Sequence, residues 1–267
     1  MHPRTDGHEL TRADITAHLL SLGVSPAGVL LVHTSYRAVR PVEGGTRGLI
    51  DALLTALGPQ GTLVMPSWTG DDDAPFDPAM TPAASGLGVV ADTFRQLPGV
   101  LRSNHPHAFA ASGPRAAHVT GDPLPRPPLP PHIPQSPVGR VHELDGQVLL
   151  LGVGHDADTT MHLAEVSAGV PYRIRKYVTV LEHGRAVRVD YDENDHCCAR
   201  FALMDDWLRE AGIQREGTVG HAHARLARSR DIVQAALPHL ERDPFVFLHP
   251  QGSGCNECDE AWRSVRR

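Results

Sequence analysis

Two short apolar runs rich in β-branched residues, "GVLLVHTS" at 28–35 and "GTLVMPSW" at 61–68, enclose "TRGLIDALLTAL" at 46–57, whose apolar residues recur at helical spacing up to Gly58-Pro59. Strand, loop, helix and strand in that order make a βαβ unit, which lays the two strands parallel in one sheet. The unit also fixes where a ligand goes, because loops at the carboxyl ends of such strands form the usual binding edge. The remaining elements have to be arranged around it.

Upstream, "TRADITAHLLSL" at 11–22 has helical spacing, with Thr11 as its N-cap and Gly23 as its stop. Downstream, "TGDDDAPFDPAM" at 69–80 is a turn-rich acidic loop, "GVVADTFRQL" at 88–97 a helix, and "AFAASG" at 108–113 and "GQVLLLGVG" at 146–154 are strands. Eight prolines between Pro123 and Pro137 rule out regular helix or central strand there, and we read that stretch as an extended lid or wall over a pocket. "YVTVLEHGRAVRVDY" at 177–191 is a β-hairpin turning at His183-Gly184, and "CCARFALMDDWLREAG" at 197–212 is helical. The expected fold is α/β, one domain over residues 1–267, with a largely parallel central sheet, an antiparallel extension and an inserted loop region.

A chain of 267 residues buries a core without disulfides. No leader and no membrane-length apolar run is evident, so a soluble, cytoplasmic protein is expected. The net charge of -6 argues against a nucleic-acid backbone as partner and for a cationic small molecule. Lys176 is the only lysine among many arginines. The cysteines form two close pairs, Cys197-Cys198 and Cys255/Cys258, which in a reducing compartment are free thiols or metal ligands. A single C-x-x-C is a weak zinc signal; a structural zinc drawing further ligands from 196–198 stands beside reduced, packed thiols, the preferred reading.

Chemistry-bearing residues gather at several places. "LGVGHDADTTMHLAE" at 151–165 supplies His155, Asp156, Asp158, His162 and Glu165. On a helix His162 and Glu165 share a face, so a carboxylate can orient an imidazole acting as general base, and "VDYDENDHCC" at 189–198 offers further carboxylates; a purely structural His162 is the alternative. The loop after the first strand carries Thr34, Ser35, Arg37, Arg40 and Gly44-Gly45, suited to a phosphate or pyrophosphate, although neither GxGxxG nor a P-loop is present and an ordinary polar loop would look similar. "RSNHPHAFAASG" at 102–113 brings Arg102, Ser103, His105 and His107 into a polar loop that suits contact with a cofactor phosphate. Asp71, Asp72 and Asp73, with Asp156 and Asp158, suit the ammonium groups of a polyamine.

The runs "LLVHTSYRAVRPVEGGTRGLIDALLTALGPQGTLVMPSW", "RSNHPHAFAASG", "LDGQVLLLGVGHDADTTMHLAE" and "ENDHCCARF", in this order, resemble the antibiotic N-acetyltransferases, the aminoglycoside 3-N-acetyltransferase family. The similarity runs from about residue 28 to "GCNECDEAW" and is greatest to the subgroup that acts on apramycin, gentamicin and tobramycin. It implies a fold distinct from the GNAT acetyltransferases. It also implies acetyl transfer from acetyl-CoA to the 3-amino group of 2-deoxystreptamine, conferring antibiotic resistance, by a monomer or homodimer. His162 then resembles the catalytic base, with Glu193 as its carboxylate partner and Asp190 as the alternate. The coenzyme A contacts fall on Thr34, Ser35, Tyr36, Arg37 and Val39 and on Arg102, Ser103 and His105. Asp71, Asp72, Asp156, Asp158 and Glu165 become substrate contacts; His33, at the end of the first strand, is read as a structural histidine, with a second acid/base group as the alternative. No metal is implied in the chemistry. Two rivals are an acetyltransferase for a non-antibiotic amine and a metal-binding sensor using the 17 histidines and the cysteine pairs.

Overall fold

The computed structural model describes residues 8–121 and 130–265. Helix α1 (Arg12–Leu22) opens on a capping box between Thr11 and Asp14 and ends at Gly23, whose φ of 105° is left-handed. Strand β1 (Val29–Thr34), helix α2 (Tyr36–Val39), helix α3 (Gly45–Leu57) and strand β2 (Thr62–Pro66) form the expected βαβ unit, β1 and β2 being parallel. There follow α4 (Gly88–Arg95), β3 (Leu101–Arg102), β4 (Phe109–Ser112), α5 (Ala116–Thr120), α6 (Pro137–Glu143) and β5 (Gln147–Leu151). Then come α7 (Thr160–Ala168), β6 (Ile174–Glu182), β7 (Arg185–Glu193), α8 (Leu203–Glu210), β8 (Arg215–Val219), β9 (Ala222–Arg228), α9 (Ser229–Arg242) and α10 (Asn256–Ser264).

The main sheet has seven strands in the order β3-β4-β2-β1-β5-β9-β8. Its parallel part is the centre, β2-β1-β5, and both flanks are antiparallel. The antiparallel extension of the main sheet is built by β4 and β3 on one side and by β9 and β8 on the other. The hairpin at 174–193 stands apart as a two-stranded sheet, while β8 and β9, hidden in a stretch of mixed polarity, extend the main sheet. The expected helix at 197–212 begins with a turn of 3₁₀ helix at Ala199–Ala202 before α8.

The period-two geometry of strands splits the core in two. Leu30, Val32, Leu63, Met65, Leu149 and Leu151 pack against α1, α3 and α4 on one face. Leu31, Val64, Val148 and Leu150 pack against α6, α7, α8, α9 and α10 on the other. Nearly all of these side chains are fully buried, each contributing about 1.5–3 kcal/mol, so the carboxyl edge of β1, β2 and β5 is a rigid platform. No helix among the described residues is long and apolar enough to cross a membrane.

Candidate active site

The loops leaving β1, β2 and β5 surround a cleft of about 260 Å³, with His33 and Thr34 from β1, Trp68 after β2, and Asp156, Thr159 and His162 after β5. Asp158 builds the wall that presents His162. It is buried, its Oδ1 accepts the N–H of Thr160 at 2.9 Å at the start of α7, and its Oδ2 lies 3.1 Å from His155 Nδ1. His155 is held from the other side by Gln214 at 2.8 Å. Asp158 is therefore committed inside the fold and is no substrate contact, whereas Asp156 is exposed on the cleft rim.

One turn into α7, His162 Nδ1 donates to Glu165 Oε2 at 3.0 Å, the i, i+3 contact of a helix face. Glu165 is completely buried, and its second oxygen accepts from His196 Nε2 at 2.8 Å and from the Tyr172 hydroxyl at 2.5 Å. Burial alone would raise the Glu165 pKa, but His196 and His162 outweigh it and hold the carboxyl at about 2. His196 Nδ1 accepts the N–H of Cys198 at 3.0 Å, so its Nε2 carries the proton. That tautomer makes the His162–Glu165–His196 group a hydrogen-bonded cluster in which the carboxylate faces N–H groups, with no free nitrogen pair for a metal.

With Nδ1 donating, the Nε2 of neutral His162 is an acceptor. It lies 3.4 Å from Cys198 Sγ, and both side chains line the cleft. Burial works against charge on His162, yet Cys198 and then Glu165 outweigh it and the ring holds a proton well above the usual histidine range. His132 stacks on His162 at 4.9 Å between centroids, and Phe201 meets it edge-on at 5.1 Å. His132 is kept neutral, its pKa pushed well down by burial and by His162. The described end of the proline-rich stretch thus walls His162; residues 122–129, the rest of that expected lid, lie outside the described residues.

The imidazole's carboxylate is therefore Glu165, where the family pattern put Glu193 or Asp190. Alternation along β7 explains the correction. Tyr191 and Glu193 point inward, while Asp190 is exposed and faces Arg188 at 3.6 Å. Glu193 makes no hydrogen bond to His162; burial and then Asp195 push its pKa up to about 7, and its Oε2 is buried with no partner among the described residues. Asp195 pairs with Lys176. Glu165, placed among the substrate contacts by resemblance, lies fully buried beneath His162 and is not exposed to the cleft.

Beside the cleft, Thr34, Ser35, Tyr36, Arg37, Arg40 and the Gly86–Val89 turn line an open groove of about 550 Å³, and Thr34 and Leu87 border both spaces. Arg37 and Arg40 are exposed and pair with no carboxylate among the described residues. Val39 belongs to the core, fully buried, and is not part of the groove. The 102–105 loop also lies elsewhere. Arg102 stacks on Phe76 at 4.8 Å and donates to the carbonyls of Ser67, Pro78 and Thr81, bracing the acidic loop. Ser103 accepts the N–H of Phe109 at 3.0 Å, and His105 accepts that of His107 at 2.9 Å, in a separate cavity shared with His132.

The acidic loop docks on the hairpin. Phe76 N–H donates to Thr179 O at 3.0 Å, and Tyr177 OH donates to Asp73 at 2.7 Å. Asp71 caps its own turn by accepting the N–H groups of Asp73 and Ala74, whereas Asp72 is exposed, its pKa raised by partial burial. Sequence reasoning missed Tyr172 and His132, and weighed His196 and Cys198 only as possible zinc ligands. A histidine next to an acidic run was visible in "ENDHCC"; nothing in the sequence marked its distance from Glu165.

A family model for aminoglycoside 3-N-acetyltransferases matches residues 31–241. The chain belongs to this family. It is 64% identical over 247 residues, 92% of this chain and 94% of the relative, to aminoglycoside N(3)-acetyltransferase IV of Salmonella sp. The solved apoenzyme of aminoglycoside acetyltransferase AAC(3)-IVa superposes with a TM-score of 0.95 at 62% identity, covering 98% of this chain and all of that one; a histidine-to-alanine variant of the same enzyme is solved with a gentamicin, also at a TM-score of 0.95. A more distant member, AAC-IIIb solved with CoASH, has a TM-score of 0.78 at 27% identity over 87% of this chain and 96% of that one.

Proposed function

We propose that this member of the aminoglycoside 3-N-acetyltransferases transfers acetyl from acetyl-CoA to the 3-amino group of 2-deoxystreptamine antibiotics of the gentamicin and apramycin type. Such an enzyme confers resistance, and it works in the cytoplasm, where acetyl-CoA is available, as one catalytic domain in a monomer or homodimer. The observation that carries the reading is His162, whose Nε2 faces the cleft while Nδ1 is fixed by a fully buried Glu165.

An aminoglycoside amine is largely protonated at neutral pH and attacks only after losing a proton. The first ammonium proton goes to solvent; in the enzyme form whose His162 has given up its strongly held proton, Nε2 takes the second as nitrogen bonds to the thioester carbonyl carbon, Glu165 holds the resulting imidazolium, and that proton passes to the departing coenzyme A thiolate, so turnover rises with pH as His162 deprotonates. The acyl donor lies in the groove at 34–40, with Arg37 and Arg40 toward its phosphates. Thr34 at the border of groove and cleft has a buried hydroxyl without a partner among the described residues, a donor suited to the developing oxyanion. Asp72, Asp156 and Glu193 supply anionic contacts for the ammonium groups of the acceptor.

The test is release of coenzyme A thiol with apramycin and with gentamicin. Wild type should turn over both, and His162→Ala should lose about 10²–10⁴ in kcat while still binding coenzyme A. Undiminished turnover by the variant sinks the base assignment; inactivity of wild type toward both drugs sinks the acceptor class.

A further inference from the structure

Beyond the active site, three sulfurs converge. Cys255 is the N-cap residue of α10, Cys258 lies in the helix's first turn, and Cys197 enters from the segment between β7 and α8. Their Sγ atoms all lie within 4.8 Å of one another, and Cys197 and Cys258 are 3.6 Å apart. All three are free thiols. Two thiolates on a tetrahedral zinc, each about 2.3 Å from the metal, sit roughly 3.8 Å apart, whereas disulfide sulfurs are bonded at about 2.05 Å.

We propose that Cys197, Cys255 and Cys258 bind one zinc ion. Three convergent sulfurs are a soft donor set that selects zinc over magnesium or calcium. The surroundings suit thiolates. The N–H of His249 points at Cys258 Sγ at 3.3 Å, and Cys255 stands at the N-terminal end of α10, where the first amides have no partner within the helix. Tryptophan holds the main chain of His249 in place, the Trp262 indole donating to its carbonyl at 2.9 Å. The fourth zinc position falls to water or to the imidazole of His249. Binding converts three S–H groups to thiolates and releases three protons, leaving a site of net charge -1 with a neutral fourth ligand.

The position gives the ion a task. Residues 196, 197 and 198 diverge: His196 reaches Glu165, Cys198 reaches His162, and Cys197 reaches the C-terminal pair. A zinc at Cys197 clamps this segment to α10 and so braces both neighbours of the base.

Two measurements test the site. Metal analysis of protein purified without an affinity metal should find one zinc per chain, absent from the Cys255→Ser/Cys258→Ser variant. Independently of any variant's folding, reduced, metal-stripped wild type titrated with Cd²⁺ should develop sulfur-to-cadmium charge-transfer absorption saturating at one ion per chain, with three thiols protected from a thiol reagent. Metal-free native protein combined with no such absorption on titration overturns the proposal, as does saturation with fewer than three thiols protected. Because turnover is not the readout, failure here leaves the acetyltransferase reading standing, and failure of that reading leaves the zinc site standing.

Discussion

Glu165 Oε1 already accepts from His196 and Tyr172, which leaves only Oε2 for His162. In Glu165→Gln the amide oxygen must take the place of Oε1, and the NH₂ group then faces His162 Nδ1. The imidazole is forced into the tautomer with its proton on Nε2, the nitrogen that should accept one from the substrate. We expect kcat to fall by about 10²–10⁴ with little change in coenzyme A affinity, as in other sites where an orienting acid is amidated. A variant of near-normal kcat would show that the carboxylate does not set the tautomer. At this scale the sequence was half legible. The three-residue spacing of His162 and Glu165 is local and reads directly as a shared helix face. Whether Glu193 or Glu165 touches the ring depends on how a hairpin docks against α7, which no spacing encodes. Arg102 illustrates the same limit, because a guanidinium bound to three backbone carbonyls is written no differently from one awaiting a phosphate.

At the level of elements, β7 separates its acids by parity. Asp190 and Asp192 face solvent, Tyr191 and Glu193 the interior. An exposed pair such as Arg188 with Asp190 contributes about 0–1 kcal/mol, so Asp190→Asn should retain turnover within about twofold and stability within about 1 kcal/mol. Loss of activity comparable to that of His162→Ala would place Asp190 in the chemistry after all. The strong βαβ pattern, the capped α1 and the hairpin turn were readable because each is written in contiguous residues. Strands β8 and β9 were not, since "REGTV" and "AHARLAR" mix charge with small apolar residues and owe their pairing to the edge offered by β5.

Taken as a whole, the molecule buries several histidines in neutral form. Burial lowers His33 to about 4 and His107 to about 3, and it also lowers His132. Their unfolded counterparts take up protons near 6.5, so between that pH and the folded values the unfolded state binds more protons and stability falls as the solution is acidified. Glu165, held at about 2, extends the loss below 4.5. Glu193, pushed up to about 7, opposes it between 4.5 and 7, one group against three. His155 and His162, both raised, are protonated in either state below 6.5 and add no slope there. The midpoint of urea unfolding should therefore decline steadily from pH 6.5 to pH 4; a flat profile would contradict the neutral burial of these rings.

The hairpin of β6 and β7 carries its own small core of Val178, Val180 and Tyr191 and receives the acidic loop without joining the main sheet. On the proposed reading, most of the amine contacts, Asp156 apart, come from stretches of chain other than the one that holds the acyl donor. Substitutions confined to 69–81 and 174–193 can be selected for new drugs while the groove at 34–40 and the His162–Glu165 pair are inherited unchanged, so breadth of resistance in such a scaffold is free to drift without first sacrificing its chemistry.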